Sequence, residues 1–443
     1  MATQLPPSLN KNTTSNVIPF KPKHQVNDLT WWQKQCQTLV INMLKQMTQG
    51  QLKLTLPEGE NIYIGQDSDT NYAHCAKIQV NRPDFFTKIV KRGHIGFGEA
   101  YMEGDWDTPD IEAVISWAIL NVEQSPVLEG ASNHSRWLNV LGLFSRWAHV
   151  LKKNTTRNSQ KNIEAHYDLS NEFFALFLDP SMTYSSGKFL TSNDTLETSQ
   201  FNKYEALCQK LRLQPSDHVL EIGTGWGGFA MHMAQQYGCR VTTVTISKEQ
   251  YELASQRVME AGLSRQISIE LKDYRNITGQ YDKIASIEMI EAVGDEFMDG
   301  YIAQCTRLLK PQGLLAIQMI TCPDSRYTLL RDNVDFIQTH IFPGSLLPSV
   351  GRVNQSIHKA GDLSLVELDD FGLSYAKTLR LWHQAFQSKT DEIKALGFDE
   401  TFIRKWEYYF MYCAAAFQMR NISVAQALYS RPNNLTLNEP INL

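Results

Sequence analysis

The strongest local signal in the sequence is Val219-Leu-Glu-Ile-Gly-Thr-Gly-Trp-Gly-Gly-Phe229. It begins as an apolar run typical of a buried strand and continues into Gly223, Gly225 and Gly228, which fit the pattern G-x-G-x-x-G. Between a strand and a helix, such glycines allow a tight turn and let a nucleotide approach the backbone closely. The stretch therefore predicts a nucleotide-binding turn.

On both sides of this turn, apolar strands alternate with helical stretches. A helical segment ends near Leu211, a second helix follows the turn as far as Tyr237, and the predicted strands are 218–222, 240–246, 267–271, 281–287 and 313–320. This alternation indicates a parallel sheet covered by helices on both faces, so we predict an α/β, Rossmann-like fold. Residues 373–429 are mainly helical and aromatic in pattern, and we expect them to form a lid over the carboxyl edge of the sheet.

The acid in front of the glycines distinguishes between cofactors. A dinucleotide site needs an acid about 20 residues further on to bind the ribose hydroxyls. No Asp or Glu lies between Glu221 and Glu249, so NAD is disfavoured. Glu221 instead matches the turn that faces the methionine portion of S-adenosylmethionine in class I methyltransferases. The alternative is a glycine turn kept only for helix packing.

The ends of the next two strands supply the expected adenosine contacts. Thr245, Ser247 and Gln250 follow the second strand and offer neutral contacts to the ribose. Asp273 follows the third strand, where an acid can accept a hydrogen bond from the adenine amino group.

Composition excludes several classes of protein. The 443 residues carry 42 basic and 47 acidic side chains, a formal net charge of −5 that does not favour nucleic-acid binding. No apolar run approaches the roughly 20 residues of a membrane span, and the N-terminus lacks a signal-peptide pattern. We therefore expect the whole chain to act in the cytoplasm. The seven cysteines show no zinc spacing, so we expect reduced thiols and no metal site.

The first part of the chain predicts a flexible tail at 1–28 and a small α+β accessory domain at 29–130. Asp28 is the expected N-cap of a first helix, whose apolar stripe comprises Leu29, Trp32, Cys36, Leu39, Val40, Met43, Leu44 and Met47. Strands are predicted at 51–56 and 76–80, with a helix from Pro83.

Residues 131–162 form a linker of unusual charge. The segment contains no Asp or Glu but six Lys and Arg residues, and an apolar helical stripe runs from Trp137 to Leu151. This pattern is typical of a basic amphipathic helix on an anionic membrane surface. The alternative is a helix whose stripe docks on the protein itself. Residues 163–443 then form the domain that binds S-adenosylmethionine.

Several long motifs in order carry a resemblance to a known family. They are Gly98–Gly104, Ala165–Phe174, Leu178–Ser186, Gly223–Gly228, Val244–Ser247, Ile287–Gly294 and Ile341–Ser349. Together they resemble the cyclopropane-fatty-acyl-phospholipid synthases, a family that includes the mycolic acid cyclopropane synthases. The resemblance runs from about Gly96 to Tyr429.

The resemblance implies transfer of a methyl group from S-adenosylmethionine to the cis double bond of an acyl chain in a membrane phospholipid. Proton loss from the new methyl then closes a cyclopropane ring, with bicarbonate as the base. It also implies peripheral action at the inner membrane surface, with the phospholipid bilayer as partner, and a homodimer.

The same resemblance assigns the site residues. Glu291 orients bicarbonate, Tyr375 donates a hydrogen bond to it, and the backbone of Ile320 contributes. The cofactor-binding set implied by the motifs and by the turn is Tyr184, Ser185, Glu221, Gly223, Gly225, Gly227, Thr245, Ile246, Gln250, Asp273, Tyr274 and Ile287. His166 is expected to shape the cover of the cofactor, with general-base work as the alternative.

Three positions depart from the family pattern. Ser186 stands where Cys is common, Gln318 where His is common, and Ala292 where His is frequent. A hydroxyl and an amide can both donate to an oxyanion, so Ser186 and Gln318 are kept in the catalytic set. The departures leave open a methyl-branched or methylene product in place of a ring.

Two rival functions remain from the sequence. One is methylation of a small thiol, amine or hydroxyl acceptor, which needs no bicarbonate and should tolerate loss of Glu291 and Tyr375. The other is a lipid-surface binding protein that uses the basic linker and keeps only a relict cofactor fold.

Overall fold

The structure is a computed structural model and describes residues 29–65, 75–121 and 169–438. Three predictions lie outside the described residues: the tail 1–28, the basic linker 131–162, and the role of His166. The predicted N-cap at Asp28 is wrong, because the first helix is capped by Thr30.

The N-terminal part combines helices with a small sheet. Its elements are α1 (Trp31–Leu44), β1 (Gln51–Thr55), β2 (Asn61–Gly65), β3 (Ala76–Val80), α2 (Asp84–Met102), β4 (Trp106–Asp107) and α3 (Ile111–Leu120). The sheet order is β2-β1-β3-β4, and β1 pairs in parallel with β3. Alternate residues of β1 and β3 are buried, as in a sheet with one covered face.

Helix α1 begins differently from the prediction. Thr30 is its N-cap and forms a capping box with Gln33. Of the predicted stripe, Cys36 and Val40 are buried, but Trp32 and Leu39 are exposed. The stripe is therefore narrower than the sequence pattern predicted.

The rest of the chain alternates strands and helices. Its elements are α4 (Asn171–Ala175), α5 (Leu196–Leu211), β5 (His218–Ile222), α6 (Gly228–Tyr237), β6 (Arg240–Thr245), α7 (Lys248–Glu260), β7 (Ile267–Leu271), β8 (Tyr281–Ile287), α8 (Asp295–Leu308), β9 (Leu309–Thr321), α9 (Asp324–Asp332), α10 (Phe336–His340), α11 (Val350–Ala360), β10 (Ser364–Asp370), α12 (Gly372–Ser388), α13 (Thr390–Ala395), α14 (Glu400–Gln418) and β11 (Ser423–Ser430).

Within the described residues, seven strands form the larger sheet in the order β10-β11-β9-β8-β5-β6-β7. Strands β7, β6, β5, β8 and β9 are mutually parallel, which confirms the predicted fold. The chain leaves β5 for β6 on one side and later returns to β8 on the other. Ligands of open parallel sheets bind at such a reversal, at the carboxyl ends of the strands.

The end of the chain differs from its prediction as mainly helical. Helices α12 to α14 are present, but β11 follows them and pairs antiparallel with β9. Strand β10 was also missed, and it pairs antiparallel with β11. The apolar run of β11 is short and buried throughout, and periodicity cannot distinguish such a run from a buried helical turn.

One aromatic core joins the N-terminal helices to the C-terminal helices. It contains Phe85, Trp106, Phe173, Trp382 and Trp406, all almost fully buried. Helix α14 packs on both α2 and α3, and Arg404 donates hydrogen bonds from α14 to backbone carbonyls at 101 and 106. Among the residues described, no helix combines the length and apolar character needed to cross a bilayer.

Candidate active site

The glycine-rich turn lies at the carboxyl end of β5. Gly223 and Gly225 have φ of +105° and +51°, values that favour glycine. The amides of Gly223 and Thr224 donate to the carbonyl of Val244 at 3.1 and 3.0 Å, which fixes the turn against β6. A Cβ on Gly225 would meet no atom of the described residues within 4 Å. The backbone there is accessible to a ligand.

A cavity of about 730 Å³ lies beside this turn. The predicted residues that line it are Tyr184, Ser185, Glu221, Gly223, Gly225, Thr245, Ile246, Gln250, Asp273, Tyr274, Ile287, Glu291, Ile320 and Tyr375. Gly227, Ser186 and Gln318 are not among the lining residues. Gly227 precedes α6, where an added Cβ would lie 3.3 Å from the Cβ of Ala254. Its observed role is close helix packing.

The side of the cavity next to the turn suits a cationic ligand. Glu221 is buried, and no donor from the described part of the chain reaches its Oε2 atom. Burial raises the pKa of Glu221 to about 8. A positively charged group placed beside this carboxyl would favour its ionised form. The unsatisfied oxygen therefore fits the cationic methionine portion of S-adenosylmethionine.

The adenosine contacts predicted from sequence are held in local networks. Thr245 Oγ1 donates to Gln250 Oε1 at 2.8 Å, and Ser247 caps α7 through a bond from the Gln250 amide. Asp273 accepts from Arg275 Nε and Nη2 at 2.8 and 2.6 Å. A carboxylate retains acceptor capacity beyond these bonds, so Asp273 remains available to an adenine amino group.

Glu221 predicts a pH dependence of stability. Its carboxyl holds a proton up to about pH 8 in the folded protein, against an ordinary pKa of 4.5. Between these values the folded protein binds more protons than the unfolded chain, so the free energy of unfolding falls as pH rises. We expect Glu221→Gln, without ligand, to lose about 2–3 °C less in Tm than the wild type between pH 5 and pH 7. Equal slopes in thermal melts of the two proteins would contradict this.

The central feature of the site is Glu288, a residue that the sequence analysis missed. It follows β8 directly, lines the cavity and has a φ of +47°. Its Oε1 accepts from the amide of Ser186 at 3.0 Å and from Gln318 Nε2 at 2.8 Å. Its Oε2 accepts from the Tyr375 hydroxyl at 2.8 Å. Three predicted catalytic residues therefore converge on a carboxylate of the chain itself.

The predicted residue Glu291 lies at the same wall. Its Oε1 accepts from the amide of Ile320 at 2.5 Å, while Oε2 is buried with no donor from residues that the structure describes. Burial and the nearby charge of Glu288 raise the pKa of Glu291 to about 8. Glu291 is therefore mainly a neutral acid at pH 7.

Bicarbonate does not fit the donors that the resemblance assigned to it. The Tyr375 hydroxyl, the Gln318 amide and the Ser186 backbone donate to Glu288, and the Ile320 backbone donates to Glu291. The Ser186 hydroxyl donates to the carbonyl of Gly187. An anion added here would also lie beside a carboxylate in a site of low dielectric.

A buried lysine balances the charge of this wall. Lys203 on α5 is fully buried, and its Nζ donates to Ser185 Oγ at 2.7 Å. Burial lowers the pKa of Lys203 to about 7, against the opposing attraction of Glu288 and Asp179. The ammonium in turn favours ionisation of Glu288, although burial shifts the pKa of that carboxyl upward.

The remainder of the cavity is mainly apolar and aromatic, and its polar lining residues include His94, Arg326, Asn333, Asp335 and Gln338. Helices α2, α3, α9, α10 and α14 contribute to its wall. Tyr184 donates to the Tyr409 hydroxyl at 3.0 Å, and the ring of Phe342 lies 6.1 Å from that of Tyr184. Within 406–413, Trp406 and Phe410 belong to the core and do not line the cavity. Tyr408, Tyr409, Tyr412 and Cys413 do line it, so this segment contributes both to the core and to the cavity wall.

Sequence reasoning missed Glu288, Lys203 and Gln426. A usable signal existed for Glu288, because an acid directly after a predicted parallel strand lies at the ligand-binding edge of the sheet. Lys203 and Gln426 gave no such signal, since their positions depend on the packing of α5 and β11 against β9. Gln426 faces Gln318 in the register of those two strands.

Comparison with known proteins agrees with this geometry. The family described as mycolic acid cyclopropane synthetase matches residues 154–427. A tuberculostearic acid methyltransferase of Mycobacterium tuberculosis is 39% identical over 397 residues, 87% of this chain and 90% of that protein. The cyclopropane-fatty-acyl-phospholipid synthase of Escherichia coli is 36% identical over 358 residues, 80% of this chain and 88% of that protein.

A solved structure extends the comparison to three dimensions. A mycolic acid cyclopropane synthase complexed with S-adenosylhomocysteine superimposes with a TM-score of 0.58 at 31% identity, covering 61% of this chain and 98% of that one. The turn at β5, the cavity beside it and these matches agree. The chain belongs to the mycolic acid cyclopropane synthetase family of S-adenosylmethionine-dependent methyltransferases.

Proposed function

We propose that this enzyme transfers a methyl group from S-adenosylmethionine to the cis double bond of an unsaturated acyl chain in a membrane phospholipid and closes a cyclopropane ring. The observation that carries the proposal is the single cavity, which joins the glycine turn and Glu221 to an apolar, aromatic wall. An acyl chain suits such a wall, and a small polar acceptor would leave most of it unfilled. The cyclopropane-fatty-acyl-phospholipid synthase of Escherichia coli supports the same assignment.

S-adenosylmethionine supplies an electrophilic methyl group when bound. An alkene is a weak nucleophile, so the residues of the chain must exclude water and stabilise a transient positive charge. The rings of Tyr184, Phe342 and Tyr409 line the cavity, and the face of an aromatic ring attracts a cation by about 0.5–2 kcal/mol. The carboxylate wall at Glu288 and Glu291 adds a negative charge and an acceptor for the proton that leaves.

A methyl-branched product is the second candidate. The relative from Mycobacterium tuberculosis is named a methyltransferase of a fatty acid and covers most of this chain. Gln318, which stands where the family commonly has His, contacts the carboxylate next to the reaction centre. The step at which this chain would differ from a ring-forming relative is therefore the loss of a proton from the carbocation that methyl transfer leaves.

Isotope labelling tests the proposed function. Purified protein, methyl-deuterated S-adenosylmethionine and vesicles of monounsaturated phosphatidylglycerol are incubated, and the lipids are analysed by mass spectrometry. We expect labelled lipid that keeps two of three deuteriums, and NMR of that lipid should show a cyclopropane ring, which distinguishes it from a methylene product of the same mass. Retention of all three would favour the methyl-branched product. Unlabelled lipid together with a labelled soluble thiol or amine would contradict the proposal.

We also propose that the enzyme acts in the cytoplasm as a homodimer bound peripherally to the bilayer. Support comes from α1, where Trp31, Trp32 and Leu39 are 73%, 50% and 57% exposed. Exposed tryptophans suit the interface between headgroups and acyl chains. Flotation of the protein with the vesicles of the labelling experiment tests this association.

A further inference from the structure

We propose that Glu288 is the base of this enzyme and that the chain thereby carries its own proton acceptor in place of an external anion. The inference rests on the proposed function, because ring closure after alkylation of the double bond needs a proton to be removed from the new methyl group, whereas methylation of a small thiol or amine does not. It begins from the convergence of Ser186, Gln318 and Tyr375 on this carboxylate.

The hydrogen bonds fix Glu288 as an acceptor. Gln426 Nε2 donates to Gln318 Oε1 at 3.1 Å, so the other side of the Gln318 amide must present its Nε2 to Glu288. The amide of Glu288 also donates to the carbonyl of Gln318 at 2.8 Å. Backbone and side chain of Glu288 are thus both held by one residue of β9.

The backbone of Glu288 is held in an uncommon conformation. A non-glycine residue at a φ of +47° is strained and persists where the surroundings enforce it. Such residues concentrate at active sites. Here the conformation turns the chain at the end of β8, beside the glycine turn: a Cβ on Gly223 would lie 3.5 Å from the side chain of Met289.

The charges allow one anion at this wall. Lys203 lies within electrostatic reach of Glu288 and favours its carboxylate form. Glu291, with its raised pKa, holds its proton at neutral pH. Burial raises the pKa of Glu288, but its two oxygens accept three hydrogen bonds, so the wall holds one carboxyl placed as an acceptor and one neutral acid, and no donor of that carboxyl is left for a bicarbonate ion.

The proposed step balances without a further reactant. The π electrons of the alkene bond to the methyl carbon, the carbon–sulfur bond breaks and its electron pair stays on sulfur, which leaves S-adenosylhomocysteine and a carbocation. A carboxylate oxygen of Glu288 then takes a proton from the new methyl group. The electron pair of that carbon–hydrogen bond closes the ring, and the neutral acid returns its proton to water after the product leaves.

The test uses the full chain, methyl-deuterated S-adenosylmethionine and vesicles of monounsaturated phosphatidylglycerol, in buffer stripped of carbon dioxide and in the same buffer with added bicarbonate. We expect ring formation by the wild type to differ by less than about twofold between the buffers. Glu288→Gln should lower ring formation at least about 100-fold, within the range for loss of a general base. Its affinity for S-adenosylhomocysteine should stay within about threefold, because Glu288 is not a predicted contact of the cofactor.

A second variant tests the role of Glu288 even if Glu288→Gln fails to fold. Glu288→Gly accepts the positive φ without strain and frees the donors on Ser186, Gln318 and Tyr375. We expect added bicarbonate to raise its ring formation at least about tenfold, as an anion fills the vacated donors. Glu205→Gln is the matched control, since Glu205 also accepts from a tyrosine and a glutamine but does not line the cavity. It should keep wild-type activity.

The outcomes distinguish a failure of the role of Glu288 from a failure of the proposed function. A wild type that needs added bicarbonate, or a Glu288→Gln variant that still forms the ring, overturns the role of Glu288 and leaves the proposed function standing. The same holds if Glu288→Gly does not respond to bicarbonate. A wild type that labels no lipid in either buffer overturns both.

Discussion

Replacing Gly225 by leucine is expected to lower the affinity for S-adenosylhomocysteine at least about 100-fold, equivalent to about 2.7 kcal/mol. Two effects act together. Gly225 has a φ of +51°, which strains any residue with a Cβ, and it lines the cavity, with no described atom within 4 Å of an added Cβ. A leucine side chain would occupy the volume that the cofactor needs. Isothermal titration calorimetry measures the change.

Gly262 provides the matched control. It has a φ of +71°, no described atom lies within 4 Å of an added Cβ, and it does not line the cavity. Gly262→Leu therefore introduces comparable backbone strain without entering the cofactor space. We expect both variants to lose similar Tm, with cofactor affinity unchanged in Gly262→Leu. Equal losses of affinity would show that strain alone acts and that the cofactor does not bind at this turn.

Replacing Tyr375 by phenylalanine is expected to lower turnover on phospholipid vesicles about 100-fold, because the hydroxyl that positions the carboxylate of Glu288 is lost and a small misplacement of a reacting group has an effect of this size. The variant loses the hydroxyl that donates to Glu288 Oε2 at 2.8 Å and keeps the ring, which stacks on Phe417 at 4.4 Å. Affinity for S-adenosylhomocysteine should stay within about threefold. If the acceptor were a small thiol or amine, turnover would hardly change.

The pH dependence of activity in Tyr375→Phe shows whether Tyr375 positions Glu288 or only supports the fold. The Tyr375 hydroxyl favours the carboxylate form of Glu288, so its loss raises the pKa of that group further. The rising limb of activity should then move to higher pH. Tyr327→Phe is the control, because it removes a similar bond to Asp295 at 2.5 Å outside the cavity. A loss of turnover as large in Tyr327→Phe would contradict the assigned role of Tyr375.

The sequence predicted the parallel half of the large sheet well and its antiparallel edge poorly. Strands His218–Ile222, Ile267–Leu271 and Tyr281–Ile287 lie where the apolar runs predicted them. Strand β10 was missed because acidic residues interrupt its few apolar ones, and six of its seven residues are exposed. Its extended conformation follows from its antiparallel pairing with β11, which no local pattern shows.

The candidate site also contains residues that the sequence predicted and some, such as Glu288, that it did not. Residues of the turn and of the strand ends that follow it were predictable, because the carboxyl edge of a parallel sheet collects them in one place. Ser186, Gln318 and Tyr375 were placed together through resemblance, yet their shared partner Glu288 was not. Their convergence depends on the docking of β11 on β9 and of α12 on β11, and these are contacts between residues distant in sequence.

Helix α3 forms part of the cavity wall. Ile115 and Ile119 on α3 line the cavity together with Tyr412 on α14, and Arg380 pairs with Glu112 to hold α3 in place. These residues lie far along the chain from the glycine turn. Under the proposed function, substitutions at Ile115 or Ile119 should therefore change which acyl chains fit the cavity and leave the glycine turn and Glu288 in place.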